Sequence, residues 1–326
     1  MNEIIRYSIT GIILIALELL YFKIADHFNI IDKPNQRSSH SIPTIRGGGI
    51  VFLFAILLWF VMNNFTYPWF VLGAFLIAVV SFMDDLGEQP AKLRLTIQLL
   101  AFLLMGWEAG LNDQPIWISM IMLIVGVGTI NAFNFMDGIN GITGIYSLVN
   151  MFTFLIINRS LVNFTNENLL ISSTLGVLVF LFYNFRKKAR CFAGDIGSVT
   201  IAFIQLFLLI QLIQSTGNYG WIFLFLIYGT DSVITIVYRL TRRENIFKAH
   251  RSHLYQYFSN ELGVSHLTVS LIYGALQLVI NILLFLFLVT SSIWFSLILM
   301  LIVGIVYLII REKTLKKIGI KGLIVR

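Results

Sequence analysis

Two adjacent carboxylates close an uncharged run: Met83-Asp84-Asp85-Leu86-Gly87-Glu88 follows directly on Tyr67 to Phe82, which holds neither acid nor base. An aspartate at the centre of a membrane helix costs about 2.5–3.5 kcal/mol on insertion scales. The pair therefore belongs at a membrane edge or beside a wet cavity, met by something positive. Lys92 and Arg94 follow closely, and paired acids beside bases suit a bound metal–phosphate complex. A self-neutralising polar connection is the plainer reading, but two neighbouring carboxylates exceed what one helix-surface partner satisfies.

Three other constellations have comparable chemistry. In Asn131-Ala132-Phe133-Asn134-Phe135-Met136-Asp137-Gly138-Ile139-Asn140-Gly141, the residues Asn131, Asn134 and Asp137 recur every third position and share one face of a helical turn. Gly138 and Gly141 then interrupt the helix, freeing backbone groups that a ligand cavity can use. Carboxamides there coordinate a hard cation through oxygen or read a nucleobase edge; helix caps alone would explain one Asn and one Gly. In Ala193-Gly194-Asp195-Ile196-Gly197-Ser198, Asp195 sits at a glycine-flanked turn where Ser198 can cap the next helix and the carboxylate can share a cavity with Asp84 and Asp85. In Lys248-Ala249-His250-Arg251-Ser252-His253, one turn presents two imidazoles and a guanidinium to phosphate, against the plain alternative of a solvated basic loop.

The stretch from Asp32 to Gly49 adds Lys33, Arg37 and Arg46 as phosphate contacts or as topology anchors. Its triplet Gly47-Gly48-Gly49 lets amides approach an anion or lets two helices pack closely. His27, His40 and His266 read as structural or surface residues. Cys191, the one cysteine, reads as a small buried side chain and excludes an internal disulfide or multi-cysteine metal site. Glu18 and Asp231 fall inside apolar runs, must face protein or water, and have no assigned role.

The elements that position these groups are membrane helices. With 58% hydrophobic and 12% charged residues and a mean hydropathy of +0.86, a soluble domain is excluded, and the apolar runs are too long for barrel strands. The expected fold is all-α and polytopic, with about 10–11 transmembrane helices. Spans are predicted near 4–24, 48–63, 67–83, 93–108, 115–130, 139–157, 169–184, 197–214, 219–238, 268–289 and 291–310. The first is read as a retained span rather than a signal peptide. Residues 1–310 form a single domain with site loops 32–47, 84–94, 131–141, 184–198 and 239–267, followed by a basic tail, 311–326. Every Lys and Arg except Arg6 and Arg159 falls in alternate segments, which sets the N-terminus outside and the C-terminus in the cytoplasm. The net charge of +7 thus reflects membrane topology rather than nucleic acid. All four constellations share the cytoplasmic face, and acids for Mg2+, bases for phosphate and amides for a polar head group suit phosphoryl transfer from a soluble nucleotide to a lipid-borne acceptor. A cation-coupled transporter would instead spread its acids through the membrane depth, and a lipid-binding scaffold would have no need of them.

Taken together, the acid, Asn/Asp/Gly, Gly-Asp and His segments resemble those of the polyprenyl-phosphate N-acetylhexosamine-1-phosphate transferases, in order and over nearly the whole chain. The resemblance implies transfer of a sugar-1-phosphate from a UDP-sugar to undecaprenyl phosphate with release of UMP, initiating a cell-surface polysaccharide such as O-antigen, capsule or teichoic acid. It further implies that Asp84 or Asp85 engages the lipid phosphate and that Asp195 binds Mg2+, for which Mn2+ can substitute, with help from Asn134. Asn140 would contact uridine, with Asn131 and Asp137 in the same nucleotide-binding cluster. Lys92, His250, Arg251 and His253 would hold the diphosphate. A bacterial inner membrane, a cytoplasm-facing site and a lipid bilayer as partner follow from the same resemblance; pairing into a homodimer stays open. The acid motif ends in Glu88 where many members carry Asp or Asn. The His segment lacks the contiguous histidines of the phospho-MurNAc-pentapeptide transferase, the alternative within the superfamily, and so favours UDP-GlcNAc or a deoxy relative such as UDP-FucNAc or UDP-QuiNAc.

Overall fold

The computed structural model describes residues 3–34, 42–246, 250–288, 293–320 and 322; Arg37, His40 and Lys248 lie outside them. The chain runs through α1 (Glu3–His27), α2 (Ile50–Met62), α3 (Pro68–Leu86), α4 (Ala91–Glu108), α5 (Ile116–Met136) and α6 (Ile142–Ser160). It continues through α7 (Glu167–Asn184), α8 (Gly194–Thr216), α9 (Leu226–Thr241), the single turn α10 (Leu254–Gln256), α11 (His266–Leu288) and α12 (Ile293–Lys317). Among the described residues, 9 helical segments are long and apolar enough to cross a membrane, and α2 is a shorter apolar helix. With α4, these match the predicted apolar runs one for one. The protein is an all-α, multi-pass membrane protein. A short antiparallel pair, β1 (Ile31–Asp32) with β2 (Thr44–Ile45), folds the first polar loop back, and Ile45 bridges onward to Cys191.

Helices outrun the apolar runs at their polar ends. α3 continues to Leu86 and so carries Asp84 and Asp85 on its last turn, α5 carries Asn131 and Asn134, and α8 begins at Gly194 and carries Asp195 on its first. The groups expected in loops are thus held on rigid helix termini. α12 likewise continues to Lys317, and Arg311, expected in a solvated tail, is fully buried.

Two of these helices are capped by acids from their neighbours. Glu108 of α4 accepts from the Trp69 and Phe70 amides at the start of α3. At the other end of α3, Asp85 accepts from the Asp195 and Ile196 amides that open α8. A carboxylate there satisfies orphan N–H groups and lies at the positive end of the helix dipole. Ser198, expected to cap α8, instead donates back to the Gly194 and Asp195 carbonyls; the Asp85 carboxylate already holds the amides a cap would serve.

α8 is the axle of the bundle, buried along its whole membrane window and packed by α2, α3, α5 and α6. The glycine triplet lies against its first turn. A Cβ at Gly49 would collide with the Gly197 backbone, and one at Gly48 with Cys191. The amides of Gly48 and Gly49 donate to the Phe192 and Ala193 carbonyls, so close packing is the role the triplet fills here. Deeper in the bundle, Gln277 and Asn281 of α11 bind Tyr146, Asn150 and Thr153 of α6. Gln205 of α8 joins them through Asn150. Such ties in membrane bundles are worth about 0.6–2 kcal/mol each.

Candidate active site

The acids split their partners. Asp85 is wholly enclosed, with 0% of its side chain exposed. It accepts from Arg46 Nε at 2.6 Å and from the Asp195 and Ile196 amides at 2.8 and 3.0 Å. Asp84, 9% exposed, accepts from the Gln89 amide at 2.6 Å and from Arg94 Nη1 at 2.8 Å. Asp195 is the most open of the three at 20%, with only long contacts to Arg46 (3.5 Å) and Arg94 (3.9 Å). Gly194 makes this convergence feasible: its φ of +70° is a left-handed conformation and a Cβ would meet Asp85. Burial works against the Arg46 charge, but Asp85 and Asp195 more than compensate and hold its pKa above the ordinary value.

The Asp84 and Asp195 carboxyls are neighbours across Arg94, whose Nη1 lies 2.8 Å from one and 3.9 Å from the other. Two carboxylates so close repel unless a proton or cation lies between them. No group of three or more His, Cys, Asp or Glu among the described residues has metal-binding geometry. Mg2+, however, is commonly held by one or two carboxylates, with substrate phosphates and water completing its shell. The donor set of Asp84 and Asp195 therefore fits that ion. Asn134, half-buried, makes no side-chain hydrogen bond among the described residues, which leaves its carboxamide oxygen able to join them.

Segment 131–141 is the bridge to the histidines. Asn131 Nδ2 donates to Gln98 Oε1 and the Val127 carbonyl, tying α5 to α4. Asp137 closes α5; desolvation pushes its carboxyl up to about 7, opposed by Thr143 and reinforced by the charge on Asp85. Asn140, buried, holds the next loop through the Arg186 and Lys187 carbonyls, while its own amide meets His266. Gly141 leans on Asn184, which in turn holds the Cys191 carbonyl. Asn131 and Asn140 thus spend their NH2 groups on scaffold contacts. Lys92 is exposed on the first turn of α4.

In the histidine loop, His253 is buried with Nδ1 3.0 Å from Asp231 Oδ1. His250 stacks on it at 5.0 Å and pairs with Ser252. Both rings lie against Phe135 of α5, and Tyr255 packs on Gly138 while donating to the Phe135 carbonyl. The loop and the Asn/Gly segment therefore form one surface. Burial above all, with the Arg239 and Arg311 charges, pushes His250 down to about 4. Arg251 is half-buried beside Tyr255. Asp231 was visible in the sequence as an intramembrane acid; its partner, 22 residues away, was not. Glu18 is buried with Oε1 3.8 Å from Cys191 Sγ, and Cys191 is a buried free thiol.

The helical bundle thus gathers acids, arginines and histidines where its helix ends meet. The family model described as "Glycosyl transferase family 4" matches residues 67–213, which include Asp84, Asp85, Asn131 to Gly141 and Asp195. The chain is 24% identical over 339 residues to the "Probable undecaprenyl-phosphate N-acetylglucosaminyl 1-phosphate transferase" of Bacillus subtilis strain 168, covering 95% of this chain and 92% of that protein. It is 26% identical to the "Undecaprenyl-phosphate alpha-N-acetylglucosaminyl 1-phosphate transferase" of Thermotoga maritima, covering 72% of this chain and 74% of that one. The "Phospho-N-acetylmuramoyl-pentapeptide-transferase" of Thermotoga petrophila is 31% identical, over 47% of this chain and 56% of its own length. Over residues 67–213 the chain is thus similar to glycosyl transferase family 4, and over nearly its whole length to the Bacillus subtilis relative.

Proposed function

We propose that the protein transfers N-acetylglucosamine-1-phosphate, or the 1-phosphate of a deoxy relative, from its UDP-sugar to undecaprenyl phosphate, with the site facing the bacterial cytoplasm. The observation that carries this reading is near-complete alignment with a relative named for that activity, at 95% of the chain; the named pentapeptide transferase aligns over 47%. A lipid phosphate oxygen attacks the sugar-bearing phosphorus, the bond to the UMP oxygen breaks, and UMP leaves with that electron pair. Asp195 and Asp84, with Asn134, would hold Mg2+, which when bound neutralises charge on the diphosphate. Arg94, Lys92 and Arg251 attract and orient the phosphates of the two anionic substrates. Asp84, more open than the enclosed Asp85, is the better placed of the pair to meet the lipid phosphate. Asp85 and Arg46 hold the start of α8, and with it Asp195, in register. Asp137, with Asn131 and Asn140 behind it, shapes the nucleotide side, and His250 and His253 face the diphosphate. Product formation would initiate a cell-surface polysaccharide.

The test is UMP release by purified protein with Mg2+ and undecaprenyl phosphate, given UDP-GlcNAc, UDP-QuiNAc, UDP-FucNAc or UDP-MurNAc-pentapeptide in separate reactions. Turnover with a UDP-N-acetylhexosamine is expected. Turnover with the pentapeptide donor alone overturns the proposed sugar, and silence with every donor overturns the proposed reaction.

A further inference from the structure

Asp231 and Arg311 are both completely buried, one mid-way along α9 and the other on α12, outside the carboxylate cluster. α9 buries a polar stripe of Asp231, Ser232, Thr235, Tyr238 and Arg239, spaced as one helical face. Asp231 accepts from three donors, Tyr273 Oη at 2.6 Å and Thr235 Oγ1 and the Leu254 amide at 3.3 Å, and faces His253 Nδ1 at 3.0 Å. A carboxyl group that receives three other donors is a carboxylate, an acceptor only, so the His253 nitrogen facing it, Nδ1, carries the proton. The ring's working atom is then Nε2, which is buried with no partner among the described residues. That ring lies against Phe135, 6.3 Å between centroids, on the segment that leads to Asp137.

Arg311 holds the same loop from the other side. Its Nη2 donates to the Ser252 carbonyl at 2.8 Å, and its Nη1 donates to Thr235 Oγ1 at 3.1 Å and Tyr307 Oη at 3.0 Å. The guanidinium stacks over Tyr238 at 4.7 Å and Tyr257 at 5.6 Å. The Thr235 hydroxyl links the two charges, accepting from Arg311 and donating to Asp231. Arg311, Thr235, Asp231 and His253 thus make one hydrogen-bonded chain across α12, α9 and the histidine loop. Ionised groups inside a membrane bundle are costly and mark function more often than packing, and an imidazole oriented by a carboxylate is a recurrent way of aiming its second nitrogen.

We propose that Asp231 and Arg311 are positioning residues of the transferase: Asp231 fixes His253 with Nδ1–H inward and Nε2 toward the phosphates, and Arg311 pins the loop backbone at Ser252. This rests on the transferase reading above. The test uses full-length protein in lipid nanodiscs, following UMP release by wild type, Asp231→Asn, His253→Gln, the double variant, Asp231→Glu and Arg311→Lys. Asp231→Asn and His253→Gln should each lower kcat about 100-fold while KM for the UDP-sugar stays within about threefold. The double variant should be no slower than either single one, because one unit has been broken twice. Asp231→Glu, which keeps the carboxylate, should recover about tenfold over Asp231→Asn, and Arg311→Lys should lose about tenfold. Hydrogen exchange should show the Leu254 amide protected in wild type and unprotected in Asp231→Asn. Wild-type kcat in Asp231→Asn, losses that multiply in the double variant, or an unprotected Leu254 amide in wild type would each overturn the proposal. A wild type that releases no UMP defeats the transferase reading instead, and the exchange measurement still judges the Asp231 contact.

Discussion

The carboxylate cluster and the histidine loop solve opposite problems at the same end of the bundle. Around Asp84, Asp85 and Asp195, exposure grades from 0% to 20% across the three acids and the two arginines are more open still, at 34% and 43%. Around Asp231 the charges are sealed, with side-chain exposures of 0% for the acid and 2% for His253, and the carboxylate itself is hydrogen-bonded on both oxygens. One region keeps its charges half in water, where ligands can exchange for arginine. The other withdraws its acid, Asp231, where it can only set the geometry of the imidazole beside it. The difference teaches that charge alone does not mark the chemistry; the gradient of access does.

That contrast is open to attack, beginning with the largest expected effect. Asp195→Asn should lower UMP release by about 1,000-fold or more with the thermal midpoint little changed, since the side chain carries only long ion pairs. Chelation of divalent cations by EDTA should silence the wild type just as far, with recovery on adding Mg2+; activity that persists in EDTA would remove the metal from the scheme. Asp85→Asn should act through structure, destabilising the protein by about 1–3 kcal/mol as the α8 cap and the Arg46 pair weaken, read by thermal unfolding in detergent. An Asp85→Asn protein with wild-type stability would erase the distinction drawn between the two adjacent acids.

Asp137, on the segment that joins the two regions, and His250, in the histidine loop, should answer pH with opposite signs. Asp137, raised to about 7, keeps its proton in the folded state between about 4 and 7 while the unfolded chain loses it, so its presence costs more stability as pH rises. In EDTA, Asp137→Asn should therefore gain on the wild type from pH 4 to 7. His250, lowered to about 4, stays neutral when folded while the unfolded chain binds a proton below about 6.5. His250→Gln should gain on the wild type as pH falls from 7 toward 4, by a few degrees in thermal midpoint because the ring is partly exposed. Smallest of all, Lys92→Ala should raise KM about threefold at low salt and less at high salt, as expected of an exposed cation that attracts substrate.

The apolar runs were legible because lipid demands them; each predicted span has its helix. The polar ends were not, because a helix extends past its apolar run wherever a neighbour satisfies its polar residues. Asp84 and Asp85 stay on α3 because Arg94, Arg46 and the α8 amides receive them; Arg94 lies close by in the sequence, but Arg46 and the α8 amides are remote. The glycine triplet offered two readings that only contact with Gly197 and Cys191 separates. Arg311 sat in a run of bases that satisfies the topology rule equally well whether solvated or buried. Its aromatic seat between Tyr238 and Tyr257 comes from two other segments.

The cap that Asp85 places on α8 also fixes the length of α3. One residue inserted between Pro68 and Asp84 would turn the acid pair by about 100° and advance it by about 1.5 Å. A neighbouring side chain would then occupy the cap, and both aspartates would leave their arginines. Side chains on the lipid face of α3 can therefore be exchanged without moving the pair, whereas one residue added or removed ahead of Asp84 takes the cap from α8.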